Sequence, residues 1–257
     1  MKLKRAFLIS ICVILSSLWT MAQDEPCDLE ADNREYTDHY TTTDCRFRTR
    51  HYLSSQENPY FIMEPGWRVV LEGESDGELI RLETTVLNET ERVAGVRTRV
   101  IEEVEYIDGE LYEVARNFYA ICTQTNDIYY FGEDVAFYED GEIVSNDGQW
   151  RAGENGARPG VIMPGSVMIG ARFQQEISPG EAMDRAEVMG FTTMQVEDMT
   201  FENVLMLLES NPFDTPCDAE LKYYAPGIGN IVDEELEVVE AGFAFRVAPF
   251  PDFKQDP

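Results

Sequence analysis

From Trp67 onward, apolar and polar residues alternate in runs that end at turn signals. Residues 67–72 lead to Asp76-Gly77 and 78–87 return, then Asn88-Glu89-Thr90-Glu91 reads as a turn before a long run over 92–107. Asp108-Gly109 reverses that run into 110–122, Thr125-Asn126-Asp127 turns into 128–138, and Asp140-Gly141 starts another return. Side chains alternate faces along a strand, so period-two hydrophobicity marks a half-buried strand. Asp-Gly tolerates the positive φ of a type I′ turn, which makes it a strong hairpin signal. The pattern predicts an antiparallel meander.

Residues 153–180 break the alternation with Pro159-Gly160, Pro164-Gly165 and Pro179-Gly180, which reads as an ordered but irregular crossover. The stretch 181–190 fits either a short helix or more sheet, while 191–196, 201–208, 220–225 and 231–239 read as strands. A sheet of about ten strands has to curl to cover its apolar faces. The expected fold class is therefore all-β, an antiparallel meander forming a barrel-like or strongly curved sheet.

The ends of the chain differ from this body. Residues 1–22 read as a secretory signal peptide, with Lys2, Lys4 and Arg5 ahead of an apolar stretch and Thr20-Met21-Ala22 as the cleavage site. Residues 23–58 form an irregular, disulfide-stapled segment, 59–240 the β domain, and 241–257 a Phe/Pro-rich tail. Setting Cys12 aside with the signal leaves Cys27, Cys45, Cys122 and Cys217. Four cysteines in an exported chain imply two disulfides with three possible pairings, of which Cys27–Cys45 with Cys122–Cys217 is the local choice. The expected location is secreted or periplasmic, with no membrane span.

Charge narrows the partners. The chain of 257 residues carries 49 Asp and Glu against 20 Lys and Arg, a formal charge of −29. Such a surface repels phosphate backbones, so no nucleic-acid partner is expected. With two His in the whole chain, both in the N-terminal segment, and no Gly-x-Ser-x-Gly, a His-based triad is not expected either. The expected partner is a small molecule or an extracellular protein.

Three constellations carry candidate chemistry. Glu176, Asp184 and Glu187 with Arg172 unite carboxylates and a cation beside the Gly/Pro crossover, a set suited to acid–base catalysis if the protein is an enzyme. Tyr119, Tyr130, Trp150, Lys222 and Tyr224 could line a ligand site inside a barrel. Glu133, Asp134 and Asp140, in or beside acidic turns, supply the hard oxygen ligands that Ca²⁺ requires. Each has a plainer reading: surface ion pairs, core aromatics and separately solvated carboxylates.

Several blocks recur together: Asn58-Pro59-Tyr60-Phe61 with Pro65-Gly66 and Glu72-Gly73, Gly95-Val96 within a strand, Tyr130-Phe131-Gly132-Glu133-Asp134, and Trp150-x-Ala152-Gly153. Pro159-Gly160-x-Ile162-Met163-Pro164, Arg172-Phe173-x-Gln175-Glu176 with Asp184-x-Ala186-Glu187-Val188, and Tyr223-Tyr224-Ala225-Pro226-Gly227-Ile228-Gly229 complete the set. On these, residues 58–232 resemble a group of uncharacterised exported bacterial β-rich proteins. The resemblance implies a secreted β domain and carries over no catalytic residue. The functional expectation is a secreted binding protein for a small ligand or Ca²⁺, with a carboxylate-based hydrolase or lyase as the alternative.

Overall fold

A computed structural model describes residues 35–38, 40, 42–50, 57–213 and 219–244. Its strands are β1 (Phe47–Arg48), β2 (Trp67–Ser75), β3 (Glu78–Val93), β4 (Val96–Ile107), β5 (Glu110–Cys122), β6 (Ile128–Glu139), β7 (Glu142–Ser145) and β8 (Trp150–Arg151). The second half contributes β9 (Arg158–Met163), β10 (Arg172–Gln174), β11 (Glu176–Ile177), β12 (Arg185–Val196), β13 (Met199–Ser210), β14 (Glu220–Ala225), β15 (Gly229–Asp233) and β16 (Leu236–Phe243). The fold is all-β, as the alternation predicts.

Thirteen of these strands form one antiparallel sheet in the order β10-β12-β13-β14-β15-β16-β2-β3-β4-β5-β6-β9-β11. The two ends of that path are neighbours in sequence, separated by Gln175 alone. The amides of Gln175 and Glu176 both donate to the carbonyl of Asp184, just before β12, at 2.7 and 3.0 Å. The sheet thereby curls nearly closed into a barrel.

The hairpins form where the Asp-Gly pairs stand. Asp76 and Gly77 have φ of 56° and 84°, Asp108 and Gly109 52° and 81°, and Asp140 and Gly141 54° and 78°. Positive φ at both central positions matches the right-handed twist of the flanking strands. Two boundaries differ from the sequence expectation. Asn88-Glu89-Thr90-Glu91 does not turn: β3 runs through it with a register shift between Val86 and Thr90. A bulge absorbs the polar tetrapeptide without ending the ladder. The reversal comes at Ala94 and Gly95, φ 48° and 80°, so Gly95-Val96 opens a strand instead of lying within one. Likewise 231–239 is two strands, split where Glu234 takes φ 54°. Of the ambiguous stretch 181–190, residues 185–190 join the sheet as the start of β12. Strand β16 reaches Phe243, whose ring packs on Trp67 at 5.3 Å. The β domain thus extends beyond residue 240, while the tail from 245 and the signal segment lie outside the described residues.

The disulfide expectation is corrected. Cys45 bonds Cys122, with Cα atoms 5.1 Å apart, which excludes both Cys27–Cys45 and Cys122–Cys217. The reason is local register: β1 pairs with the end of β5, Phe47 opposite Cys122, and this brings Cys45 alongside. Cys27 and Cys217 lie outside the described residues. Phe47 packs against Tyr129 and Phe131 at 5.3 and 5.4 Å, so the strap is held by burial as well as by sulfur.

One end of the barrel is sealed by residues 57–66. Asn58 is buried and donates to the carbonyls of Asn126 at 3.0 Å and Met163 at 3.3 Å. That anchor presents Phe61 to Tyr119, ring to ring at 4.9 Å, while Met63 is wholly enclosed. Apolar burial at this end contributes the usual ~25 cal/mol per Å².

Candidate functional site

Strand alternation sends one row of each strand into the barrel. Trp67, Val69 and Leu71 of β2, Leu82, Thr84 and Val86 of β3, and Ile101 of β4 make an apolar wall. Glu103 and Glu105 of β4, Glu113, Asn117 and Tyr119 of β5, and Tyr130 and Glu133 of β6 make a polar one. Lys222 and Tyr224 of β14, Asn230 and Asp233 of β15, and Glu209, Gln175, Glu176 and Asp184 complete the enclosure. Together they surround a cavity of about 390 Å³, within the ~300–1,000 Å³ usual for small-molecule sites.

The cavity has a closed and an open end. Along β4 the inward row passes from Ile101, 2% exposed, to half-buried Glu103 and Glu105. Along β5 it passes from buried Tyr119 and Asn117 to half-buried Glu113. Leu79, beside the same turns, is 63% exposed. The mouth therefore lies near the β2–β3 and β4–β5 hairpins, where Glu105 and Glu113 stand directly opposite each other.

A bulge aims Glu133. Tyr119 faces Tyr130, but two residues back along β5 Asn117 faces Glu133, so β6 carries one extra residue there. Without it, Glu133 would follow Phe131 to the outer face. Gly132 has φ 128°, and a Cβ on it would lie 2.2 Å from the Trp150 carbonyl oxygen, which makes glycine the residue that fits.

Among the described lining residues Lys222 is the one cation. Its Nζ lies 3.1 Å from Asp233 Oδ2 and 3.5 Å from Glu209 Oε2. Glu209 Oε1 accepts from Gln175 Nε2 at 2.8 Å and from the Tyr224 hydroxyl at 3.2 Å. Asn230 donates to Asp233 at 3.1 Å. Glu103 accepts from Thr84 and Asn117, both at 3.3 Å, and Tyr130 donates to Asn117 Oδ1.

Burial dominates the protonation of this set. Taking a carboxylate out of water disfavours its charged form. Desolvation, then repulsion from Glu105 and Glu103, pushes Glu113 up to about 7. Desolvation raises Glu133 to about 8 against the lowering influence of the nearby Tyr130 hydroxyl, with Glu113, Glu103 and Asp184 adding repulsion. Glu176 is raised well above the carboxylate range by desolvation and by its carboxyl neighbour Asp184. The Trp150 indole pulls Glu176 the other way without reaching a well-formed hydrogen bond. Glu103 and Glu209 are also raised, chiefly by burial. Burial alone would lower Lys222, but Asp233 and Glu209 outweigh it and hold the ammonium well above the usual lysine value. At neutral pH the cavity thus combines one paired ammonium with carboxylic acids able to donate as well as accept hydrogen bonds.

Tyr119, Tyr130, Lys222 and Tyr224 line the cavity, as do Glu176, Asp184 and Glu133. Of the other expected site residues, Arg172, Glu187 and Asp134 are turned away by strand phase. Glu187 is three residues from Asp184 and points outward, where it forms a two-bond ion pair with Arg172 at 2.9 and 3.0 Å. Trp150 pairs with Glu133 and shares its inward face, but it is buried in the core with its ring 5.3 Å from Tyr130 and does not line the cavity. Asp134, adjacent to Glu133, turns to the outer face and binds Arg151 at 2.6 Å. Asp140 sits in the β6–β7 turn. The proposed Ca²⁺ ligands are thus dispersed, and among the described residues no group of three or more His, Cys, Asp or Glu is placed to hold a metal. Sequence reasoning missed Glu103, Glu105, Glu113, Asn117, Glu209, Asn230 and Asp233. The available signal was acids at period two inside strand patterns, but it does not say which face is inside.

Comparison of the chain with family models, with curated proteins and with solved structures gives no match. No helix among the described residues is long and apolar enough to cross a membrane.

Proposed function

We propose that this is an exported binding protein that holds a small, partly apolar molecule inside its barrel. The observation that carries the reading is the cavity of about 390 Å³, open at one end, apolar on one wall and polar on the other. Small-ligand sites are built this way, with apolar surface for affinity and a few polar groups for orientation. The disulfide Cys45–Cys122 fits an oxidising compartment. The test is uptake of the uncharged fluorophore N-phenyl-1-naphthylamine by the folded protein. Saturable fluorescence gain is expected, with loss of uptake in Val69→Trp, which fills the apolar wall. A folded protein that shows no gain would sink the reading.

The Glu176–Asp184 carboxyl pair supports a second reading, acid–base catalysis on a molecule held in the same cavity. Glu176, kept protonated by burial and by Asp184, would act as the acid and Asp184 as the base. Turnover in a panel of glycoside, ester and uronate substrates, abolished in Glu176→Gln, is the expected sign. A panel without turnover would leave binding alone.

A further inference from the structure

Which small molecule the barrel accepts follows from what its lining leaves unmatched, an argument that rests on the binding reading above. Eight carboxyl side chains line the cavity against one ammonium, and that ammonium is already engaged by Asp233 and Glu209. Among the described lining residues an anionic ligand thus meets a single ammonium that two carboxylates already neutralise.

The second observation is independent of the acids. Gln175 is 1% exposed, and its amide orientation is set because Nε2 donates to the Glu209 carboxylate. Its Oε1 is buried with no hydrogen-bond partner, although the residue lines the cavity. Asn230 repeats the arrangement: Nδ2 donates to Asp233 while Oδ1 is buried and unpartnered. An unsatisfied buried acceptor costs ~1–3 kcal/mol, so a donor that reaches either atom removes a standing cost. Both orphan atoms are acceptors, and neither can bond to another acceptor.

We propose that the ligand is an organic cation, a primary ammonium on an aliphatic or aromatic body, with its three N–H groups directed at Gln175 Oε1, Asn230 Oδ1 and a surrounding carboxylate. The apolar body lies along Val69, Leu71, Leu82 and Ile101. The facing Glu105 and Glu113 at the mouth attract the cation as it enters. Like charges directly opposite on a sheet are destabilising, and a bound ammonium removes that repulsion. Carboxyls that burial keeps protonated give up protons as the cation arrives.

The experiment compares three ligands with one tail, octylamine, 1-octanol and octanoate, by isothermal titration calorimetry on the full mature protein at pH 8 and constant ionic strength. Octylamine is expected to bind at least about tenfold more tightly than either, as a charged hydrogen-bonding group does over a neutral one. Calorimetry in buffers of different ionisation enthalpy is expected to show proton release with the amine and none with the alcohol. Gln175→Leu and, separately, Asn230→Ala should each reduce octylamine affinity by a larger factor than octanol affinity, since the alcohol has a single donor to lose; the second guards against a core variant that fails to fold. Octanol or octanoate binding as tightly as the amine overturns the cation assignment and leaves the binding reading intact. The same holds if the octyl compounds fail while the neutral fluorophore enters. If neither the amine nor the fluorophore binds, both readings fall.

Discussion

Glu83 and Glu113 are the same residue type on neighbouring parts of one sheet, and the barrel gives them opposite behaviour. Glu83, on the outer face of β3, lies 2.8 Å from Arg68 and 2.7 Å from Arg81. Partial burial alone would raise it, but hydrogen bonds from these two arginines outweigh desolvation and hold it below the usual carboxylate range. Glu113, on the inner face of β5, has Glu105 opposite it and is pushed up to about 7. Outside, arginines stand beside acids; inside, a single paired lysine serves eight carboxyls. The outer surface is arranged for stability. The inner one keeps an electrostatic cost that ligand binding can relieve, which is where function is expected to reside.

The largest test of that contrast removes the device that turns Glu133 inward. Gly132→Ala sets a Cβ against the Trp150 carbonyl oxygen in a backbone conformation unfavourable for L-residues. A loss of about 3 kcal/mol or more is expected in urea denaturation, and a variant as stable as the parent would show that the bulge is dispensable.

Next in size is Lys222→Met. Deleting one partner of a buried pair strands the other charge. Since the Lys222 side chain keeps 26% exposure, a loss of about 2–4 kcal/mol at pH 8 is expected. Most of it should return at pH 5, because burial raises Glu209 and the carboxyl can hold its proton once the ammonium is gone. An equal loss at both pH values would assign the effect to packing.

The wild-type protein should show the inner behaviour directly. Folded Glu113 and Glu133 hold their protons up to about 7 and 8, whereas the unfolded chain releases them near 4.5. The stability from these groups is complete below the unfolded value and is lost as pH rises through 7 to 8. The melting temperature should fall between pH 5 and 8, and Glu133→Gln should flatten the slope and raise stability at pH 8 by about 1–2 kcal/mol. A melting temperature that rises over this range would contradict the buried acids. Should the octylamine assignment hold, amine affinity should weaken as pH drops from 9 to 6, because protonated carboxyls no longer attract the cation.

The smallest effect belongs outside. Glu83→Gln should cost about 1 kcal/mol or less at pH 7, and less again in high salt. The sign is opposite to that of Glu133: a depressed pKa contributes stability at high pH that is lost as pH falls. Chemical denaturation at two salt concentrations checks both points.

Much of the barrel was legible in the chain because its signals are local. Asp76-Gly77, Asp108-Gly109 and Asp140-Gly141 encode their turns in φ preferences, and alternation announces strands whatever they pair with. Even so, Asn88 to Glu91 reads as a turn because polar composition alone does not distinguish a bulge from a reversal. Ala94-Gly95 performs that reversal with one weak signal, the glycine.

The site was legible in residue types and not in membership. Tyr119, Tyr130, Lys222, Tyr224, Glu133, Glu176 and Asp184 are distinctive enough in sequence to be chosen, and they do converge. Asp134 and Glu187 were equally distinctive and face away. A one-residue slip of phase moves a side chain to the other side of a sheet, and the bulge beside Gly132 makes such a slip. The order of residues by itself determined the fold class, most turns and the excess of acid. Register, bulge and closure of the seam at Gln175 decided which acids lost their water, since burial depends on strands far apart in sequence.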